Sequence, residues 1–326
     1  MKKSLLLVAL AAVSFTAKAE PKLIKVDGSS TVYPITEAMA EEYQNQTKGA
    51  SKVTVGISGT GGGFKKFCRG EIDISDASRP ITAAEIETCT KGNIKFYELP
   101  IAFDAMVIVV HPSNKMNEIS VADLKKMWQP EAQGKTMKWS DVNPAWPKMD
   151  LKLYGAGADS GTFDYFTEAI VGKAKSSRGD YTASEDDNIL VKGVAGDKGA
   201  LGFIPMSYYV ENSKKLKALA VINAQGKAVL PSKETVENAS YNPLSRPVFI
   251  YVNTESAKRE EVKNFVKLFL TSAKTIVPSV KYVALPVSAY EKALEHFEKG
   301  RMGTVFKGHA QVGMTIDELL KKEASF

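Results

Sequence analysis

Four short stretches of this chain combine hydroxyls, glycines and charges in a way suited to binding an oxyanion. One is Ala158-Asp159-Ser160-Gly161-Thr162-Phe163. Ser160 and Thr162 offer hydroxyls, and the N–H groups of Gly161, Thr162 and Phe163 would be left unpaired at a helix start. Unpaired donors and the helix dipole both favour negative charge there. A second stretch, Gly28-Ser29-Ser30-Thr31-Val32, places hydroxyls just ahead of Pro34. Ser58-Gly59-Thr60-Gly61-Gly62-Gly63 is the third, and four glycines in six residues imply positive φ or a close approach to the backbone. In the fourth, Asp76 and Arg79 lie three apart. They either pair at the surface, where an ion pair contributes little, or supply an acceptor and a planar donor fork to one anion.

The elements that must position these residues read as strand, turn and helix in repetition. Leu23–Asp27 and Lys52–Ile57 have strand character, followed by helices predicted from about Tyr33 to Gln46 and from Phe64 to Arg69. Residues 71–75 form a short strand before a helix from Thr82 to Cys89, and Leu151–Tyr154 leads into the Ser160 turn. The apolar runs Phe103–Val110 and Ser245–Val252 read as strands buried on both faces and as the two crossings between lobes. A separate strand is predicted over 93–100. Residues 129–149 read as a decorated loop and 211–240 as weakly patterned. This alternation predicts an α/β chain of two lobes, each a mostly parallel sheet flanked by helices, with ligand turns at the carboxyl ends of the strands. The expected division is residues 20–103 with 247–326 for one lobe and 104–246 for the other.

The chain has 326 residues and a formal charge of +6. Residues 1–19 read as a cleaved secretory signal, with Lys2 and Lys3, an apolar run from Leu5 to Phe15, and Ala17-Lys18-Ala19 as the cleavage site. The leader takes three lysines and no acid with it, so the mature surface is near charge balance. Nucleic-acid binding through a basic face is not suggested. Two cysteines, Cys68 and Cys89, stand twenty-one residues apart. In an oxidising compartment they most simply form one disulfide, the alternative being two buried thiols.

Taken in order, Gly28–Pro34, Gly56–Phe64, Asp73–Ile81 and Asp159–Phe163 resemble the motifs of the periplasmic phosphate-binding proteins, as does Ser245–Tyr251. The resemblance covers nearly the whole mature chain. It implies a type II-like two-lobed binding protein, without cofactor or metal, that closes on inorganic phosphate in the periplasm and delivers it to the membrane permease subunits of an ABC importer. A monomer is the default expectation. Carried over by position, Ser30, Thr31 and Val32 would meet the anion from the first turn, Ser58 or Thr60 from the glycine-rich turn, and Ser160, Gly161 and Thr162 from the second lobe. Asp76 matches the family carboxylate. In better-known members an arginine stands four residues before that second-lobe serine; here the position is Ala156. Arg79 is the expected replacement, ahead of Arg246 and Arg178.

Phosphate near neutral pH keeps a P–OH proton, which Asp76 or Asp159 would accept, whereas sulfate offers none and would be repelled. Other readings are a binder of sulfate or molybdate, a surface adhesion role, and a serine hydrolase or phosphatase built on Ser160. A hydrolase needs a base, and His111, His296 and His309 lie in no recognisable catalytic motif.

Overall fold

A computed structural model describes residues 21–308 and 312–325; the expected signal segment and His309 lie outside the described residues. In chain order the strands are β1 (Lys22–Gly28), β2 (Ser51–Ile57), β3 (Ile74–Ala77), β4 (Phe96–Val110), β5 (Glu118–Ser120), β6 (Lys152–Ala156), β7 (Thr182–Ser184), β8 (Ala200–Pro205), β9 (Lys217–Ala218), β10 (Ala220–Ile222), β11 (Ala228–Val229) and β12 (Ser245–Asn253). The helices are α1 (Tyr33–Gln46), α2 (Gly59–Phe67), α3 (Ala83–Lys91), α4 (Val121–Trp128), α5 (Trp139–Val142), α6 (Gly161–Val171), α7 (Asp187–Gly196), α8 (Met206–Glu211), α9 (Lys233–Glu237), α10 (Glu260–Ser279), α11 (Val287–Glu298) and α12 (Ile316–Ala324). None of these helices is long and apolar enough to cross a membrane.

The main sheet runs in the order β2-β1-β3-β12-β4-β8-β6-β7, with β9 also on β4. Its two ends are parallel: β2, β1 and β3 in one lobe, β8, β6 and β7 in the other. Between them β12 and β4 run antiparallel, and β4 continues from β12 onto β8. Because each parallel group feeds its turns out at the carboxyl ends of its strands, the hydroxyl turns of both lobes converge on the seam that β4 and β12 cross. Each lobe has its own aromatic packing. Phe64 and Phe96 set their rings edge-on to Tyr251, while Trp128 packs edge-on against both Phe166 and Phe203, which stack on each other.

Three expectations change here. The strands predicted over 93–100 and 103–110 are one strand of fifteen residues, β4. Pro100, which cannot donate to a ladder, is accommodated at the register shift opposite Val248 and Phe249. Helix α2 begins at Gly59, not Phe64. Its glycines let the first turn lie against the sheet: a Cβ on Gly63 would sit 2.7 Å from the Cα of Gly28 and 2.8 Å from the Ser75 hydroxyl. Residues 129–149 contain α5, and 211–240 contain β9, β10, β11 and α9, elements too short to show periodicity.

Cys68 and Cys89 are joined in a disulfide that ties α2 to α3. Loop closure across the 21-residue separation is worth about 3 kcal/mol in the unfolded chain. Replacing both cysteines by alanine is therefore expected to lower unfolding free energy by about that amount in urea titrations; a loss under about 1 kcal/mol would mean that the loop-entropy account fails.

Candidate functional site

At the end of β1 the chain must pass directly over β3. Gly28 has φ +143°, and a Cβ there would fall 2.2 Å from the carbonyl oxygen of Asp76. Only glycine permits that approach. The Ser29 N–H donates to the same carbonyl at 3.0 Å, and Val32 and Tyr33 N–H both donate to Ser29 O. The turn is thereby fixed with Ser30, Thr31 and Val32 buried.

From β6 the chain enters α6 through Ser160, whose hydroxyl accepts from Thr162 N at 3.1 Å. Gly161 then lies so close to the opposite lobe that a Cβ would sit 2.5 Å from Thr60 Oγ1 and 2.6 Å from Ser78 Oγ. Those two hydroxyls are 3.1 Å apart, and Ser78 N donates to Thr60 Oγ1. Across the seam Thr31 Oγ1 and Thr162 Oγ1 are 2.9 Å apart. Thr31, Thr60, Ser78, Ser160 and Thr162 are all buried.

One cation joins this group. Arg246, 1 % exposed, comes from β12 and donates from Nη1 to Gly161 O at 2.8 Å and from Nη2 to Thr162 Oγ1 at 2.7 Å. Thr31 Oγ1 and Asp104 Oδ2 lie 3.4 Å from Nη2. Among the described residues its Nε has no hydrogen-bond partner, and the guanidinium lies over the Tyr165 ring. The site is therefore a buried set of hydroxyls at the starts of α1, α2 and α6 and just past β3, with a fixed positive group. Such an arrangement can neutralise and hydrogen-bond a small anion.

Several residues singled out from sequence go elsewhere. Arg79, the expected cation, is committed: both terminal nitrogens donate to Glu85 at 2.8 Å, and Nε donates to Asp164 at 2.6 Å. Glu85 is held in turn by the capping box of α3, so the arginine fork is saturated by protein carboxylates. Arg178 is tied to Asp180 and to the carbonyls of Met127 and Thr136. The Ser58 hydroxyl donates to Asp27 at 2.6 Å, so Thr60 is the glycine-turn hydroxyl in the cluster. Asp159 sends its carboxylate outward to Lys65 at 2.8 Å while its carbonyl accepts from Gly61 N.

The side chain of Asp76 also departs from expectation. Successive strand residues face opposite sides. Ser75 faces Gly63 on α2, and Asp76 points the other way, toward Thr36 of α1. Among the described residues neither carboxylate oxygen has a hydrogen bond of good geometry, and burial pushes the group well above the usual carboxylate range. Ser78, two residues on, reaches Thr60 instead. Sequence reasoning missed Ser78, Asp104 and Asp187. Asp104 did carry a signal, being the lone acid inside the apolar run Phe103–Val110.

Buried acids are the electrostatic signature of this region. Burial raises Asp104 to about 6 and Asp187 to about 7, with Arg246 restraining both. Away from the seam, burial likewise lifts Glu98 to about 7 and Glu323 to about 8. Each of these groups holds its proton to higher pH in the fold than in the unfolded chain. The native state thus binds more protons from about pH 4 upward, and the stability so gained is lost as pH rises through the folded values. Without added anion, the melting temperature is expected to fall between about pH 5 and pH 8; a rise over that interval would contradict these assignments.

Residues 15–274 match the family model of a PBP superfamily domain. Over 329 aligned residues the chain is 50% identical to Protein SphX of Synechococcus elongatus, covering 99% of this chain and 97% of that one. It is 36% identical to the phosphate-binding protein PstS of Staphylococcus saprophyticus, over 82% of each. Among solved structures, a possible phosphate binding protein from Planctomyces limnophilus is 44% identical and superposes with a TM-score of 0.64, covering 87% of this chain and all of that one.

Proposed function

The chain belongs to the PstS-like phosphate-binding proteins of the PBP superfamily, and we propose that it binds inorganic phosphate in the seam between its lobes and delivers it to an ABC-type import permease. In this reading the lobes divide at 103/104 and 246/247, and the chain works in the periplasm as a non-enzymatic carrier. The observation that carries the proposal is the buried Arg246 guanidinium among Thr31, Thr60, Ser78, Ser160 and Thr162, at a seam contributed by both lobes. Hydroxyls and backbone donors match the oxygens of a tetrahedral anion, and one fixed cation supplies charge that water cannot reach to screen.

Arg246 takes the role first expected of Arg79, because Arg79 is already neutralised by Glu85 and Asp164. Thr60 is preferred to Ser58, and Ser78 joins the set. Hydrolysis at Ser160 finds no support in the described histidines. His111 bonds Ser113, and His296 stands beside Glu323.

Isothermal titration with phosphate, arsenate and sulfate tests the reading directly, with phosphate expected to bind and sulfate to fail. Arg246→Ala should weaken phosphate by about 100-fold or more, since it strips a buried charge from its partners. Arg79→Ala should instead act first on melting temperature, by orphaning Glu85 and Asp164. A greater affinity loss in Arg79→Ala than in Arg246→Ala would return the role to Arg79.

Closure can be tested separately. Gly161→Ala places a methyl against Thr60 and Ser78, so small-angle scattering should show the variant failing to compact in excess phosphate. Compaction equal to wild type would show that the lobes approach differently. Transport is tested by phosphate uptake in cells lacking their own binding protein, restored by this chain and not by its Arg246→Ala form.

A further inference from the structure

Hydrogen bonds grip Arg246 only at its two terminal nitrogens; among the described residues its Nε has no such partner. The guanidinium carbon lies 5.5 Å from the centroid of the Tyr165 ring. An aromatic face packs a planar cation and attracts it electrostatically. Tyr165 is 2 % exposed and stands on α6, one turn after Gly161 and Thr162, which accept from Nη1 and Nη2. A single helix thus supplies two acceptors and the ring.

The phenol adds a second hold. Its hydroxyl donates to Ser245 O at 2.7 Å, with Pro243 O at 3.0 Å, so it ties α6 to the backbone immediately ahead of Arg246. Burial pushes the phenol up to about 12, and the donated proton is therefore kept near neutral pH. A hydroxyl also accepts, and this one accepts from Gly313 N at 2.8 Å. Asn242 Nδ2 donates to Gly313 O at 3.0 Å. Gly313 has φ +73°, and a Cβ there would fall 2.5 Å from Asn242 Nδ2, so the close fit requires glycine.

From Gly313 the chain runs through the buried Met314 into α12, whose start is closed by the capping box of Thr315 and Glu318. Ile316 and Leu319 join the core, and Glu323, 2 % exposed, places Oε2 3.3 Å from Nδ1 of His296 on α11. In the proposed division α11 belongs to one lobe, and Tyr165 and Asn242 to the other. Residues 313–324 therefore bind Tyr165 at one end and α11 at the other.

Resting on the phosphate reading above, we propose that Tyr165 is a positioning residue for Arg246 and that residues 313–324 hold it in place, so that phosphate affinity depends on a C-terminal segment outside the anion site.

The test titrates the full chain and its variants with phosphate by calorimetry, following melting temperature in parallel. Tyr165→Phe keeps the ring and loses the hydroxyl bonds, and should weaken phosphate about tenfold. Gly313→Ala, which pushes the segment off Asn242, should weaken it in the same direction by about fivefold; Asn242→Ala serves if that variant does not fold. A residue acting through Arg246 loses its effect once the guanidinium is gone. Introduced into Arg246→Ala, Tyr165→Phe should therefore change phosphate affinity by less than about twofold. An equal loss in both backgrounds, or wild-type affinity in a folded Tyr165→Phe protein, would overturn the positioning role. Weakening by Tyr165→Phe but by neither Gly313→Ala nor Asn242→Ala would overturn the part given to the C-terminal segment. Absence of phosphate binding by the wild type would instead refute the functional reading on which the proposal rests.

Discussion

A buried guanidinium needs partners where water cannot reach it, and Arg246 draws those of its two terminal nitrogens from three separate places. Asp104 faces it across the ladder, Gly161 and Thr162 approach from the start of α6, and Thr31 approaches from the turn after β1. These partners are far apart in the chain. The charge therefore acts as a common reference point to which both hydroxyl turns are registered, and their separation follows from its size and shape.

Around this point the backbone comes unusually close to itself. Gly28 lies on the Asp76 carbonyl, Gly63 on Gly28, and Gly161 on the hydroxyls of Thr60 and Ser78. Such contacts leave little room for side chains to define the interior, so main-chain amides and short hydroxyls line it instead. Longer charged residues work further out. Lys65 meets Asp159, and Arg79 spans from Glu85 to Asp164, so the outer seam is braced by ion pairs whose charges largely cancel one another. The inner cation thus acts on whatever enters without strong competition from the rim.

Much of this could be read from the residues in order. Strand, hydroxyl turn and helix recur with enough regularity to place Thr31, Thr60, Ser160 and Thr162, and the two cysteines are joined as their pairing in the sequence suggests. What the sequence hid was direction. Asp76 and Ser78 are two residues apart in the same short stretch, yet one faces α1 and the other meets Thr60, because Ser78 lies just past the end of β3 where alternation no longer applies. Arg79 and Arg246 pose the same difficulty at longer range. Arg79 sits inside a recognisable turn, but Glu85 six residues later captures it through the capping box of α3. Arg246 stands at an apolar strand where a charge looks out of place, and only the pairing of β12 with β4 reveals that Asp104 is opposite.

The register shift between Val248 and Phe249, opposite Ala102 and Pro100, has a mechanical consequence. A ladder bends and twists more strongly where its rungs fall out of step, so the two crossing strands change course here. Arg246 lies two residues from that bend and opposite Asp104, so the cation is anchored in the stretch of sheet that the two halves have in common.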